Sequence, residues 1–286
     1  MSKYSRIVSI LLDSLPHIKL FNGATMVIKY GGAAQINPQL KEQFAIDIVM
    51  LYMLGIKPVI VHGGGNKISE MLQTLQIPTE FVDGHRVTSL EAMKVVEMVL
   101  SGEINKELSA FLNFHGLKAV GISGKDSRLL CATPKDGGKL GYVGDVKEVN
   151  IEVVQKLLEG GFVPVIAPVA SADEAHHPGF NINADTAACA IACALKAKKV
   201  IFLTDTQGVL NADRTLLKSL SIQEVESYKQ KNVIVGGMIP KVDACVKAVN
   251  AGVEKAHIID GRVEHSLLLE LFTSGGVGTE ILRDSQ

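Results

Sequence analysis

The sequence predicts an α/β fold: a three-layer αβα sandwich built on a central, open, mostly parallel sheet. Three observations carry that expectation. Short continuous apolar runs, such as Met26–Ile28 and Val59–Val61, read as strands buried on both faces. They alternate with stretches whose apolar residues recur at helical spacing, and repeated βα alternation means a parallel sheet covered by helices on both sides. A chain of 286 residues with 47% apolar content can also bury a substantial core, as one large domain or two lobes.

Taken in order, Tyr4, Ile7, Val8, Leu11, Leu12 and Leu15 follow i, i+3, i+4, i+7, i+8 and i+11, one apolar stripe on a helix expected to end before Pro16. That stripe must bury itself on its own domain or on another subunit. Next come a strand over "TMVIKYGG", a helix over 39–54, a strand over "KPVIVH", a helix over 66–75, a hairpin-like "PTEFVDGHRVT" and a helix from about 89. "KAVGIS" reads as a strand, the region around "DGGKLGYVGDVKEV" as a glycine-rich hairpin, 151–159 as a helix and "FVPVIAPV" as a strand. In the second half, "GFNINADTAACAIACALKA" is a turn feeding a helix and "KKVIFLTD" a strand ending in a polar loop. "MIPKVDACVKAVNAG" is a helix with Pro240 in its first turn, "KAHIID" a strand, and a last helix starts near 264. A division into two lobes is expected near 180–185.

Thirty acidic residues against 29 basic ones leave a net charge of −1, so nothing favours nucleic acid or an anionic membrane over a small-molecule partner. Cys131, Cys189, Cys193 and Cys245 lack paired CxxC spacing, and read as buried thiols of a reducing compartment rather than as zinc ligands. No run reaches the length of a membrane span, and "IVSILLDSL" is broken by Asp13 and lacks a cleavage site; a cytoplasmic location is expected.

The chemistry gathers where strands end, since ligands of open α/β sheets bind beyond the carboxyl ends of their strands. In "KPVIVHGGGNKISEML" three glycines separate a buried strand from a helix. Unpaired N–H groups at a helix N-terminus attract anions, and glycine lets the anion come close. A tight turn alone rarely needs more than one or two glycines. "VIKYGG" repeats the pattern, with Lys29 closing the first strand ahead of Gly31 and Gly32. One cation and two glycine loops suggest a phosphate. Neither the Walker A pattern nor G-x-G-x-x-G opens the first βαβ unit, which disfavours a dinucleotide-dependent dehydrogenase.

"KYGG", "VHGGG", "DGHRVT", "INKEL", "ISGKD", "NINAD", "LTDTQGVL" and "GGMIPKV" stand in the order and spacing of the N-acetylglutamate kinases, members of the amino acid kinase family. The resemblance runs from about residue 25 to 283. It implies an N-terminal oligomerisation helix (1–20), an N-lobe (21–182) for the acyl amino acid and dimerisation, and a C-lobe (183–286) for ATP, on one continuous sheet. The implied reaction is ATP-dependent phosphorylation of the side-chain carboxylate of N-acetyl-L-glutamate, the second step of arginine biosynthesis. An alternative is a catalytically inactive arginine-sensing protein on the same fold.

Elementary chemistry agrees with the kinase. Phosphoryl transfer passes through a loose transition state, so the protein mainly positions groups and offsets negative charge. The acceptor is already anionic, so no general base is required. Carried over residue by residue, the resemblance makes Lys29 and Lys241 the transition-state stabilisers and Asp185 the carboxylate that holds them. By composition alone, Lys29 could be a snorkelling surface lysine, Lys241 a solvated helix residue and Asp185 a helix N-cap. Arg86 would fork onto the α-carboxylate of acetylglutamate, the alternative being an ordinary surface salt bridge. Gly32, Gly64, Gly65 and Asn181 would also meet the acceptor or the phosphoryl group. Gly31, Asp205, Gly208, Val209, Leu210 and Met238 fall in the nucleotide region. No protein metal ligand is expected; Mg²⁺ would be held mainly by the ATP phosphates. His62 reads as a packing residue.

Three positions depart from the family pattern: Ala33 where Asn is more usual, Asn66 where Pro is common, and "TDTQGVL" for a more usual "TDVPGVL". The N-terminal stripe and the C-terminal "HSLLLELFTSGGVGTEI" resemble the arginine-inhibited branch, which implies a homohexamer (a trimer of dimers) with L-arginine bound between the first helix and the C-lobe. Some members in photosynthetic organisms bind a PII-type nitrogen-signalling protein.

Overall fold

Alternating βα units wind into one sheet because each strand core is apolar on both sides. The computed structural model describes residues 3–273 and 275–284. The chain begins with α1 (Lys3–Phe21), β1 (Thr25–Tyr30), α2 (Pro38–Met53), β2 (Lys57–His62) and α3 (Gly65–Thr74). Then follow α4 (Leu90–Glu97), α5 (Asn105–Phe114), β3 (Ala119–Ser123), α6 (Glu152–Glu159), β4 (Val163–Ala167) and α7 (Ala184–Leu195). The chain closes with β5 (Lys199–Thr204), β6 (Ser219–Ser221), α8 (Ile222–Gln230), α9 (Met238–Asn250), β7 (Lys255–Asp260), α10 (Ser266–Phe272) and β8 (Thr279–Leu282).

The eight strands lie in the order β6-β8-β7-β5-β1-β2-β4-β3. Six of them, from β7 to β3, are parallel, whereas β8 runs antiparallel to β7 and β6 pairs parallel with β8. Strands formed before residue 182 make one half of the sheet and those after it the other, joined where β1 pairs with β5. Successive residues of β1 feed opposite faces: Val27 joins a cluster with Val200, Phe202, Ala188 and Val242 beneath α7 and α9, while Met26 and Ile28 join Ile48, Ile201 and Leu267 beneath α2 and α10. Burying each such Val, Ile or Leu is worth about 1.5–3 kcal/mol, which is why the sandwich has helices on both sides. The predicted fold class is the observed one.

Several local details differ from expectation. The first helix does not end before Pro16 but continues to Phe21. Proline forfeits one backbone hydrogen bond there, and the last turn is held instead by buried Phe21, which meets Phe272 edge-on at 6.2 Å between ring centroids. Of the predicted stripe, Val8, Leu12 and Leu15 are exposed; the side chains of Tyr4, Ile7 and Leu11 lie outside the described residues. The helix read from about 89 contains a seven-residue π-helical segment, Met98–Ile104, between α4 and α5. Strands β6 and β8 and helix α8 were not foreseen, although "SIQE" is a capping box: Ser221 and Glu224 exchange side-chain-to-backbone bonds of 3.2 and 2.8 Å.

The polar stretch after α3 is the expected hairpin, Phe81–Val82 against His85–Arg86, and its turn residues Asp83 and Gly84 both have positive φ. The glycine-rich region is spanned by a hairpin of Leu130–Pro134 with Gly144–Val149. Cys131, Cys189 and Cys245 are buried free thiols and Cys193 is half-buried. Among the described residues no helix is long and apolar enough to cross a membrane.

Candidate active site

Parallel pairing brings the carboxyl ends of β1, β2 and β5 side by side, with Lys29 in register with Val61 on one flank and Phe202 on the other. Lys29 therefore sits between the two halves of the sheet. Its ammonium lies 3.1 Å from Asp185 Oδ1, and the Lys241 ammonium donates to Asp185 Oδ2 at 2.9 Å. The three side chains are only 13%, 15% and 22% exposed for Lys29, Asp185 and Lys241, so neither lysine is a freely solvated surface group. Asp185 is not the cap of α7: Asn183 is, accepting from the N–H groups of Asp185 at 2.9 Å and Thr186 at 3.1 Å. That leaves the Asp185 carboxylate free to face the lysines. Burial by itself would raise the Asp185 pKa, but Lys29 and Lys241 outweigh it and hold the carboxyl below the usual range.

Around this triad the glycines have separate reasons. A Cβ at Gly31 would stand 2.7 Å from Lys29 Nζ, so Gly31 leaves room for the ammonium. Gly32 has φ +66, in the left-handed region. A Cβ at Gly64 would fall 2.5 Å from Ile104 Cδ1 and 2.6 Å from Leu100 Cδ2, both on the π-helical segment. Gly64 precedes α3 without any side-chain cap, so the first N–H groups of that helix are open to a ligand. Gln35 Nε2 ties the two glycine loops together, donating to Gly63 O at 3.1 Å and Tyr30 O at 3.3 Å.

These loops floor a cavity of about 990 Å³ whose walls include Lys29, Gly31, Gly32, Gly64, Gly65, Arg86, Asn181 and Asp205. Arg86 is buried at 6% exposure and has no carboxylate within ion-pair distance among the described residues, unlike a surface salt bridge. Its guanidinium donates to Gly65 O at 2.9 Å, Ser69 Oγ at 2.7 Å and Thr79 Oγ1 at 3.2 Å, and lies 4.6 Å from the centre of the Phe81 ring. Desolvation lowers its pKa, the signature of a cation without a counter-charge. Asn181, on the strand Phe180–Asn181, donates to Thr88 Oγ1 at 3.3 Å.

The remaining sequence candidates lie elsewhere. Lys241 and Asp185 reach the cavity through Lys29 rather than lining it. Gly208, Val209 and Leu210 form a loop against β8, where the Val209 N–H donates to Thr279 Oγ1 at 2.8 Å, and Met238 opens α9 half-buried. Asp205, in contrast, stands on the cavity wall beside Gly32. His62 is fully buried: Nδ1 donates to Gly63 O at 3.0 Å and Nε2 accepts from Asn105 Nδ2 at 3.2 Å. Burial pushes its pKa down to about 4, so it is a neutral packing group. Sequence reasoning missed Gln35, Ser69 and Thr79, for which no pattern exists, and Asn183, which the N-cap rule could have found. Among the described residues no group of three or more His, Cys, Asp or Glu side chains could hold a metal ion.

The chain is similar to known proteins over its whole length. The amino acid kinase family matches residues 24–260. The acetylglutamate kinase of Wolinella succinogenes is 73% identical over 284 residues, 99% of this chain and 100% of that protein. That of Aliarcobacter butzleri is 63% identical over 96% of this chain and 92% of its own length. Among solved structures, the N-acetylglutamate synthase of Neisseria gonorrhoeae complexed with coenzyme A and N-acetyl-glutamate superimposes with a TM-score of 0.86 at 26% identity, over 98% of this chain but 64% of that one. A carbamate kinase from Giardia lamblia bound to AMP-PNP shares the fold at a TM-score of 0.69 and 19% identity, covering 92% of this chain and 99% of the other. With its relatives identical at most positions along nearly the full length, the chain belongs to the amino acid kinase family and, within it, to the acetylglutamate kinases.

Proposed function

We propose that the chain transfers the γ-phosphoryl group of ATP to the side-chain carboxylate of N-acetyl-L-glutamate. The observation that carries the reading is the Lys29–Asp185–Lys241 triad, in which one carboxylate aims two ammonium groups, one from strand β1 and one from helix α9, at the same place. Residues 21–182 act as the acceptor lobe and 183–286 as the ATP lobe. Lys29 and Lys241 offset charge on the phosphoryl and bridging oxygens, and Asp185 keeps both lysines oriented. Arg86, a buried cation without an acidic partner among the described residues, takes the α-carboxylate with Asn181 beside it. The N–H groups at Gly64 and Gly65, with Gly32 opposite, meet the reacting carboxylate and the phosphoryl group. Gly31 borders the phosphates, while the loop Gly208–Leu210 and the turn before Met238 serve the nucleotide. Mg²⁺ enters on the ATP phosphates and supplies further charge neutralisation there.

A second reading concerns control: L-arginine inhibits the enzyme, and α1 joins dimers into a hexamer. Its support is the exposed apolar row Val8, Leu12 and Leu15, with a buried polar cluster under the last turn of the same helix. There Lys199 Nζ lies 2.8 Å from His257 Nε2 and 5.2 Å from the centre of the Phe21 ring, and His257 Nδ1 lies 2.7 Å from Glu270 Oε1. A carboxylate and an ammonium there are complementary to the guanidinium and carboxylate of arginine.

One experiment tests both readings. ADP release from Mg-ATP is measured with N-acetyl-L-glutamate, L-glutamate and L-aspartate as acceptors, with and without L-arginine. Turnover on acetylglutamate alone, suppressed by arginine, is expected. No turnover on any acceptor, with arginine still bound, would leave a sensor on the same fold.

A further inference from the structure

Asp205 follows β5 directly and opens the loop that leads to Gly208–Leu210, yet its carboxylate points the other way, across the junction between the two halves of the sheet. Oδ1 accepts the N–H of Ala33 at 2.8 Å, inside the first glycine loop. The approach is close: a Cβ at Gly32 would stand 2.8 Å from Asp205 Cγ, so glycine is required there both by this contact and by its φ of +66. The short 3₁₀ turn Gly32–Gln35 has no side-chain cap from Gly31 at its start, and Asp205 accepts the N–H of Ala33 in its first turn.

The far end of the same turn is tied to the acceptor side. Tyr30 donates its hydroxyl to Ala34 O at 2.5 Å, and Gln35 Nε2 donates to Gly63 O at 3.1 Å. A continuous hydrogen-bonded connection thus runs from the C-lobe carboxylate through residues 33–35 to the second glycine loop. Ala34 also lies against Gly261, where a Cβ would stand 3.4 Å from Ala34 Cβ. Lys29, the ammonium at the centre of the site, stands beside Gly31 in the segment so held.

We propose that Asp205 is a positioning residue: it accepts the Ala33 N–H to set the first glycine loop, and through Gln35 the second, in register with Lys29. It acts on turnover by pre-organising backbone donors. This role is additional to the nucleotide region in which the family resemblance places Asp205. The inference rests on the kinase reading above, and its test has a readout that does not.

The role needs an acceptor oxygen, not a charge, so Asp205→Asn and Asp205→Ala separate it from the alternatives. Asp205→Ala is expected to lower kcat about tenfold, with the KM of acetylglutamate within about twofold, while Asp205→Asn keeps at least about a third of the wild-type kcat. Amide hydrogen exchange of the segment spanning Ala33 should quicken in Asp205→Ala and stay near wild type in Asp205→Asn. Asn as slow as Ala would mean that the negative charge itself matters, and a raised KM for ATP at constant kcat would mean a nucleotide contact; either result overturns the proposal. Unchanged exchange in Asp205→Ala overturns it as well, whatever the activity. If the wild-type protein does not phosphorylate acetylglutamate, the functional reading fails on its own, and the exchange experiment still decides whether Asp205 holds the loop.

Discussion

Replacing Asp185 by Asn keeps the shape of the side chain and removes the one charge that faces both lysines. At separations of 3.1 and 2.9 Å, each pair gains a gross Coulomb energy of about 5 kcal/mol at an effective dielectric of about 20, before desolvation is subtracted. Removing one member of such a buried arrangement costs about 3–5 kcal/mol net, because the ammonium groups stay buried without a counter-charge. For a chain of this size that is a fall in Tm of about 6–10 °C. In Asp185→Asn, moreover, the amide presents N–H groups where an acceptor stood, so at least one lysine must turn away. A preorganised donor lost from a transition state costs about 2.7–4 kcal/mol, which sets the expected fall in kcat at about 10²–10³. The assay is steady-state ADP release at saturating Mg-ATP and acetylglutamate, paired with thermal unfolding with and without Mg-ATP. Bound phosphates supply the missing counter-charge, so the Tm deficit should shrink with nucleotide. A kcat within tenfold of wild type, or a deficit that Mg-ATP leaves unchanged, would refute the reasoning.

Lys241→Ala should lower kcat about 10²–10³ and leave the KM of acetylglutamate nearly unchanged, since its contact forms mainly in the transition state; equal losses in both would contradict that role. Arg86→Lys loses the planar fork and is expected to raise the acetylglutamate KM about tenfold with little effect on the ATP KM, measured by varying each substrate in turn. Gly64→Ala drives a methyl into Ile104 and Leu100 and should cost about 1–3 kcal/mol in urea unfolding. Two groups at the site contribute to the response to acid with a definite sign. Asp185, with its folded pKa below the unfolded one, stabilises fully above the unfolded value of about 3.9, and this contribution is lost as pH falls through the folded value. His62 has a pKa of about 4 folded against 6.5 unfolded, so stability declines as pH falls from 6.5 towards 4; that decline should be smaller in His62→Gln when the two are compared by urea unfolding at pH 7.5 and 5, the remainder coming from other groups such as buried His257.

The sequence by itself determined the αβα sandwich, because buried parallel strands read as continuous apolar runs, and Val27, Val59, Val165 and Val200 lie in such runs between helical patterns. It also placed the glycine loops at strand ends and singled out Lys29, Asp185, Lys241 and Arg86 through motifs whose order was informative even where each was weak. Short-range pattern could not decide what depends on distant partners. Strands β6 and β8 are three and four residues long and exist by pairing with each other and with β7. α1 continues past Pro16 because Phe21 finds Phe272, a residue some 250 positions away in the chain. The lysines become a pair only where α7 and α9 pack beneath the sheet beside β1, and the fact that Arg86 lacks an acidic partner among the described residues is a property of its surroundings, not of its neighbours in sequence. Asp205 shows the division at one residue: its place at the end of a strand is legible in "LTD", whereas the direction of its carboxylate is set by the register of β1 on β5, which brings Ala33 within reach. Periodicity encodes which face a residue takes; which group it meets there is decided by pairing across the sheet, and that pairing is non-local.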